Sequence, residues 1–416
     1  MHKEYGFIDL FAGCGGLSLG LMKAGFFERF AIEKSEDAFQ TLVHNLKDNK
    51  KFNFDWPEWL PCKNMTTEDL LKNHINDLKS LQGKIFLAAG GPPCQGFSFA
   101  GLRNPKDPRN KLTEEYIQII SIIKPKILLL ENVRGFQVAF KNKTKEPYSK
   151  KVAEKLENLG YRVFKKVVPA SMFGVPQPRP RFIMIAINEN NCSERLLNME
   201  NEIFFAGIET KALEFKKKKG LDTKFVKLGD AISDLEVKGK KLITCTDSPG
   251  FKQIKYIEPE NKSPYLKLMR EGIQKGTMPN SLRIPNHKKE TLKKFKYIIK
   301  NTDRGSSVPQ EVKDRFNLKK QCLNVLCPNK LSTTITTLPD DTLHYSEPRI
   351  LTVRENARLQ SFPDWFEFKG KYTTGGNRRK IECPRYTQVG NAVPPLMAEI
   401  LGLFIKELAE SELKNE

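Results

Sequence analysis

Over roughly the first 190 residues, short apolar runs alternate with amphipathic ones, and this alternation limits the chain to very few folds. Tyr5–Leu10, Phe30–Glu33, Ile85–Ala89 and Ile127–Glu131 are almost continuously apolar. Runs of that length read as strands covered on both faces, as in a parallel sheet. Helical periodicity fills the intervals at Leu17–Ala24, Glu36–Asn45, Glu68–Leu78 and Thr113–Ile123. Val163–Val168 and Arg181–Ile187 read as later strands of the same sheet. The pattern predicts an open, Rossmann-like α/β sheet. The stretch 47–61, with Trp56, Pro57, Trp59 and Pro61, predicts an irregular insertion.

Near residue 190 the periodicity weakens and lysines gather. Lys216–Lys219 are consecutive, and the window 281–300 holds seven Lys or Arg against one Glu, with Phe295 and Tyr297 among them. Across all 416 residues, 70 basic and 49 acidic side chains leave a net charge of +21. A balance that basic points to a polyanionic partner. Thr373–Gly376 reads as a hinge, followed by an amphipathic helix at Leu396–Leu408. The sequence opening has no signal-peptide layout and no apolar run reaches 18 residues, so a membrane span is not expected. Eight scattered cysteines fit free thiols in a reducing compartment, and the lone C-x4-C at Cys322 and Cys327 lacks the partners of a zinc site, so no metal is expected.

Five features carry chemistry. Phe7-Ile-Asp-Leu-Phe-Ala-Gly-Cys-Gly-Gly-Leu-Ser-Leu-Gly20 is a strand, a glycine turn and a helix start. It offers free N–H groups to an anionic ligand, but Ser18 takes the sixth place of a dinucleotide G-x-G-x-x-G. Glu33 ends the next strand, where a carboxylate can bind ribose hydroxyls. Gly90-Gly-Pro-Pro-Cys-Gln-Gly-Phe-Ser98 is a stiff loop at a strand's carboxyl end, and Cys94 in it is a positioned thiol. Glu131 closes the apolar run Leu128–Leu130. A carboxyl there is costly unless it serves a purpose, and a protonated one is a candidate proton donor to a ring nitrogen. In Gln177-Pro-Arg-Pro-Arg181 the two arginines stand at i and i+2, so on an extended segment they point the same way.

Together these motifs resemble those of the DNA (cytosine-5)-methyltransferases, in the compact form of bacterial restriction-modification enzymes. Arg354–Pro363 and Gln388–Pro395 match two further motifs of that family. The resemblance covers about 1–190 and 345–410. It implies a Rossmann-like S-adenosylmethionine-dependent methyltransferase domain at 1–190 plus 377–416, and a smaller target-recognition domain at 191–376. The catalytic residues it implies are Cys94 (nucleophile), Glu131 (proton to the cytosine ring), Arg181 (contact to the base carbonyl) and Arg179 (support). For S-adenosylmethionine it implies Phe11, Gly13, Gly15, Gly16, Glu33, Asn64, Pro92, Asn391 and Val393. The family often carries an aromatic residue where Lys34 stands, and Asp where Asn64 is aligned with a strand end. Double-stranded DNA is the implied substrate, a separate restriction endonuclease the implied companion, and a monomeric bacterial cytoplasmic protein the implied form. Two other readings are an RNA (tRNA) cytosine-5 methyltransferase and a non-catalytic DNA-binding regulator of the same fold. A nicotinamide oxidoreductase is disfavoured by Ser18 and by the Cys94 loop.

Overall fold

The computed structural model describes residues 5–93, 111–139, 146–320, 322–374, 378 and 382–413. The chain forms two compact units. Unit 1 holds the residues up to Pro169, Pro180–Glu214 and those from Pro395 onward; unit 2 holds Ala170–Arg179 and Phe215–Pro394. Compactness therefore cuts the chain elsewhere than its texture does, since 382–394 falls in unit 2.

Unit 1 is built on six strands: β1 (Gly6–Leu10), β2 (Phe27–Ile32), β3 (Leu87–Gly90), β4 (Ile127–Val133), β5 (Tyr161–Pro169) and β6 (Pro180–Asn188). Their order is β2-β1-β3-β4-β6-β5. The first four strands are parallel, as their apolar runs predict. Strand β6 runs antiparallel to both β4 and β5. The ten residues Ala170–Arg179 between β5 and β6 are too few for a parallel crossover, which needs a dozen or more. The register aligns Ile32, Leu10, Gly90 and Leu130 in one row. Phe11, Glu33, Gly91 and Glu131 thus all stand one residue beyond the row, at the carboxyl edge. The chain reverses direction between β1 and β3, the switch point where open α/β sheets bind ligands.

Helices α1 (Gly16–Lys23), α2 (Glu36–Leu42), α3 (Thr67–Asn73), α4 (Ile75–Ser80), α5 (Lys111–Ile123) and α6 (Tyr148–Glu157) belong to this unit. Tyr116, Ile119, Ile120 and Ile123 of α5 fall on one face and are wholly buried with Ile8, Phe30 and Phe182. The closing helix, Pro395–Glu412, lies against α1. A Cβ added at Gly20 would stand 2.3 Å from the Ala398 Cβ, so glycine there sets how closely the two helices approach.

Two expectations are corrected here. The helix expected over Glu68–Leu78 is two helices, broken at His74 (φ −128°, ψ 24°), whose ring lies 3.2 Å from the Asp77 carboxylate. Among the described residues no strand ends at Asn64. It lies in irregular chain before the capping box of α3, where Thr66 and Asp69 satisfy each other's backbone N–H.

Unit 2 has little regular sheet: a hairpin of Leu242–Thr244 with Lys252–Ile254, and three two-residue strands around Asn324–Val325. Among the described residues its buried apolar side chains include a cluster around Leu235, Ile254, Tyr256 and Leu282, another around Ile298, Val325 and Leu343, and the mutually packed rings of Phe362, Phe366 and Phe368. Buried charge lies among them. The Arg358 guanidinium donates to both oxygens of Asp364, at 2.8 and 2.7 Å, and also pairs with Asp234. Arg354 donates to the carbonyls of Asn280, Pro363 and Phe366. Both arginines lie in the helix Val353–Leu359 and are fully buried. Among the described residues no helix is long and apolar enough to cross a membrane.

Candidate active site

The glycine loop after β1 is held open by left-handed backbone. Phe11 has φ 68°, Gly13 φ 58° and Gly15 φ 89°. Glycine adopts that region freely, whereas at Phe11 it is strained, a condition that collects at ligand sites. The strain is fixed by the Ala12 N–H, which donates to the Ile32 carbonyl at 2.9 Å. Gly15 also faces Leu46 so closely that a Cβ would sit 3.0 Å from its side chain. Gly16 then opens α1.

Glu33 is drawn into this loop. Its two oxygens accept from the Gly13 N–H at 3.0 Å and the Ser35 N–H at 2.7 Å. Burial pushes its pKa up, and those two N–H groups pull back against it. Asn64 joins the same corner: its side-chain amide donates to the Lys34 carbonyl at 2.9 Å, and the Met65 N–H donates to the Glu33 carbonyl. The structure therefore gathers Phe11, Gly13, Glu33 and Asn64 at the ends of β1 and β2.

Beneath the loop lies a group that the motif reading passed over. The Ser18 hydroxyl is 2.8 Å from both Asp9 Oδ2 and Glu28 Oε1, all three wholly buried. One hydroxyl has one proton to donate, so the second contact needs a proton on a carboxyl. Burial pushes Asp9 up to about 7 and Glu28 well above the carboxylate range. The signal was in the sequence for Asp9, which interrupts an otherwise apolar strand, whereas Glu28 is followed by Arg29 and reads as part of a charged strand start.

At the end of β3, Gly90 and Gly91 make room. A Cβ on Gly90 would lie 2.6 Å from the Leu10 carbonyl oxygen, and one on Gly91 would crowd Glu131 Oε2 at 3.3 Å. Pro92 follows, its carbonyl accepting from the Asn132 side chain at 3.1 Å. Cys94 lies outside the described residues, within 94–110. Asn132 was also missed. It is a buried amide inside an apolar strand, next to Glu131 but on the opposite side of the pleat.

Glu131 is half of an ion pair rather than an isolated strand-end carboxyl. Arg181 Nε lies 2.7 Å from Glu131 Oε1, with both side chains about seven-eighths buried. Burial lowers the Arg181 pKa, which Glu131 counters, and the guanidinium stays charged. The expectation that Arg179 and Arg181 point the same way is corrected. Arg179 has φ 26°, so the period of two in extended chain does not apply. Its guanidinium is spent inside unit 2 on the carbonyls of Ile335, Gly390 and Ala392, at 2.8, 2.8 and 3.0 Å. Arg179 is therefore a scaffold residue. Asn391 ends the helix Arg385–Asn391 and is exposed, with Val393 just beyond it, both in unit 2.

Residues 5–407 match the family model for C-5 cytosine-specific DNA methylases. The chain belongs to that family. The methylase is 31% identical over 407 residues to the type II methyltransferase M.DdeI of Desulfomicrobium norvegicum, covering 95% of this chain and 86% of that one. It is 29% identical to the type II methyltransferase M1.HphI of Haemophilus parahaemolyticus, with 98% and 88% covered. Among solved structures it resembles a prophage-encoded candidate DNA modification methyltransferase (E. coli), with a TM-score of 0.65, 23% identity and 98% and 100% of the chains covered. The S. pombe Dnmt2 methyltransferase aligns with a TM-score of 0.53, 15% identity and 98% and 99% covered, a likeness of fold.

Enzymes of this family generally take their methyl group from S-adenosylmethionine. The methylase has room for such a group. A Cβ added at Gly13 meets nothing within 4 Å, which marks open space beside the loop. The adjoining N-terminus of α1 and the Glu33 carboxylate suit a ligand with a carboxylate at one end and sugar hydroxyls at the other.

Proposed function

We propose that the methylase modifies C5 of a cytosine flipped out of duplex DNA, within one short sequence, at the carboxyl edge of β1, β3 and β4. The observation that carries this reading is the Glu131–Arg181 pair, near the carboxyl end of β4 and beside Gly91, which is one residue beyond β3. S-adenosylmethionine, when bound, supplies the methyl group. Phe11, Gly13, Gly15, Gly16, Glu33 and Asn64 would hold it, with Pro92, Asn391 and Val393 contributing as the family resemblance implies.

The thiolate of Cys94 adds to C6 of the ring, making C5 nucleophilic. Glu131 carries a proton to N3. Its Oε1 is occupied by Arg181, so Oε2, which faces Gly91, is the oxygen that presents the proton. Arg181 orients that carboxyl through Nε; its Nη1 donates to the Pro180 carbonyl at 2.9 Å, which leaves Nη2 to meet the base carbonyl. After C5 is methylated, a base removes the C5 proton, Cys94 leaves as thiolate and the N3 proton returns to Glu131, restoring the ring. C5 and C6 are hidden in a stacked duplex, so the cytosine must first leave the helix, at a cost of a few kcal/mol.

The region 191–376 would read the flanking sequence, and its positive charge would offset part of that cost. We take the enzyme to act as a monomer in the bacterial cytoplasm; its likeness to type II methyltransferases supports a role in protecting DNA from a separate endonuclease. The test is S-adenosylmethionine-dependent methylation of plasmid DNA followed by bisulfite sequencing. Protection confined to one short motif, lost by at least ~10³-fold in Cys94→Ser, is expected. Protection of no DNA cytosine, or full activity in the variant, would overturn the reading.

A further inference from the structure

The helix Lys289–Lys300 carries its lysines in a pattern that packing does not require. Lys289, Lys293, Lys296 and Lys300 are exposed and spaced four, three and four residues apart, which puts them in one stripe along the helix. The opposite face is pinned. Ile298 and Ile299 are buried, Phe295 meets His287 edge-on at 5.1 Å, and Tyr297 meets Phe316 at 5.4 Å. The stripe is therefore held outward on a fixed rod.

Its charge is also left without internal compensation. Among the described residues none of the four lysines makes an ion pair. Acids at i±4 stabilise a solvated lysine face, and lysines on unit 1 have such partners or others: Lys150 pairs with Glu146 and Glu154 at i±4, and Lys155 with Glu114 of another helix. The helix Lys289–Lys300 has one acid, Glu290, in its first turn. The surrounding segment 285–330 holds 12 basic and 4 acidic residues.

We propose that this stripe is a phosphate rail, on which unit 2 grips the backbone of duplex DNA independently of its sequence. The inference rests on the DNA-methylating reading above. Four ammonium groups over eleven rises of ~1.5 Å extend ~16 Å, about five phosphates of one strand at ~3.4 Å each along the duplex axis. Lysine is a point charge that neutralises phosphate without reading a base edge. The rail thus sets affinity and its salt dependence, and leaves the choice of sequence to other residues.

The test is duplex binding by the full chain across a salt series, in wild type and in the quadruple variant Lys289→Gln, Lys293→Gln, Lys296→Gln, Lys300→Gln. At ~0.9 per phosphate contact, the slope of log K against log salt should fall by ~3 to 4, with the methylated motif and kcat at saturating DNA unchanged. The paired variants Lys289→Gln/Lys293→Gln and Lys296→Gln/Lys300→Gln should each remove about half, and they serve if the quadruple variant fails to fold. Lys150→Gln/Lys155→Gln should leave the slope as it was. A slope in the stripe variants equal to that of wild type would overturn the rail. If the wild type methylates no DNA, yet its duplex binding loses slope in the variants, the catalytic reading falls and the rail stands. Methylation with an unaltered slope is the reverse case.

Discussion

Buried carboxyls meet opposite treatment in the two units. In unit 1, Asp9 and Glu28 share the Ser18 hydroxyl, and burial drives both upward, toward the protonated form. In unit 2, burial also raises Asp364 and Glu355, but the guanidinium of Arg358 against one and of Arg349 against the other outweighs it and holds both low. The reason lies in what else is available. Unit 1 has a six-stranded sheet and one large apolar cluster to stabilise it. Among the described residues unit 2 also buries apolar side chains, Phe362, Phe366 and Phe368 among them, but it has little regular sheet and sets guanidinium–carboxylate pairs within that core. The Glu131–Arg181 pair uses the same residue types as those pairs, yet it sits at an open sheet edge. An arginine–carboxylate pair is therefore scaffold or chemistry according to whether its surroundings leave it a free side.

Making the same chemical change in both places would break or sharpen this contrast. Glu131→Gln keeps shape but removes the transferable proton, so kcat should fall by ~10² to 10⁴ with the melting temperature nearly unchanged. A parallel loss of stability would mean that the pair is scaffold. Asp364→Asn should do the opposite. Loss of one partner of a buried pair costs about 3–5 kcal/mol, about 10 °C in Tm at ~2–4 °C per kcal/mol, while the folded fraction keeps its turnover. A large fall in kcat at low temperature would contradict that.

The pH dependence separates the units next. Asp9 titrates at about 7 when folded against 3.8 otherwise, so the folded state holds the extra proton between those values. Its contribution is complete below about pH 4 and is lost as pH rises through 7. Melting of unit 1 should fall by a few degrees between pH 5 and pH 8, and by less in Asp9→Asn. Asp364 works the other way: its contribution is present above its ordinary value of 3.8 and is lost as pH falls through the lowered one. An equal pH response in wild type and Asp9→Asn would remove Asp9 from the account. The smallest effect expected is for Asn132→Ala. Losing the bond to the Pro92 carbonyl costs about 1 kcal/mol, seen as a few-fold drop in kcat with KM for the cofactor unchanged. An unaltered kcat would show that Asn132 does not position the loop.

Much of unit 1 was legible because strand and helix periods are local properties. β1 to β4, the glycine loop, Glu33 and Glu131 all follow from runs of apolar residues and the groups that end them. What failed depended on single backbone angles or on connection length. The shared direction of Arg179 and Arg181 assumed extended chain, and φ 26° at Arg179 removes it. The helix through His74 breaks at one residue whose ring finds Asp77. The antiparallel β5–β6 pair was not fixed by the sequence reading, whose strand ends leave twelve residues between them; the longer observed strands leave ten, too few for a crossover. The charge network of Arg354, Arg358 and Asp364 was not, because its partners, such as Asp234 and Asn280, lie 74 to 124 residues from the arginines they meet.

The measurement that tests the central claim most directly uses duplex DNA carrying tritium at C5 of the target cytosine. Methylation at C5 must expel that hydrogen, so one tritium should reach water for each methyl group transferred, and neither event should occur in Cys94→Ser. Methyl transfer with the tritium retained would place the reaction on another atom of the base and contradict the account.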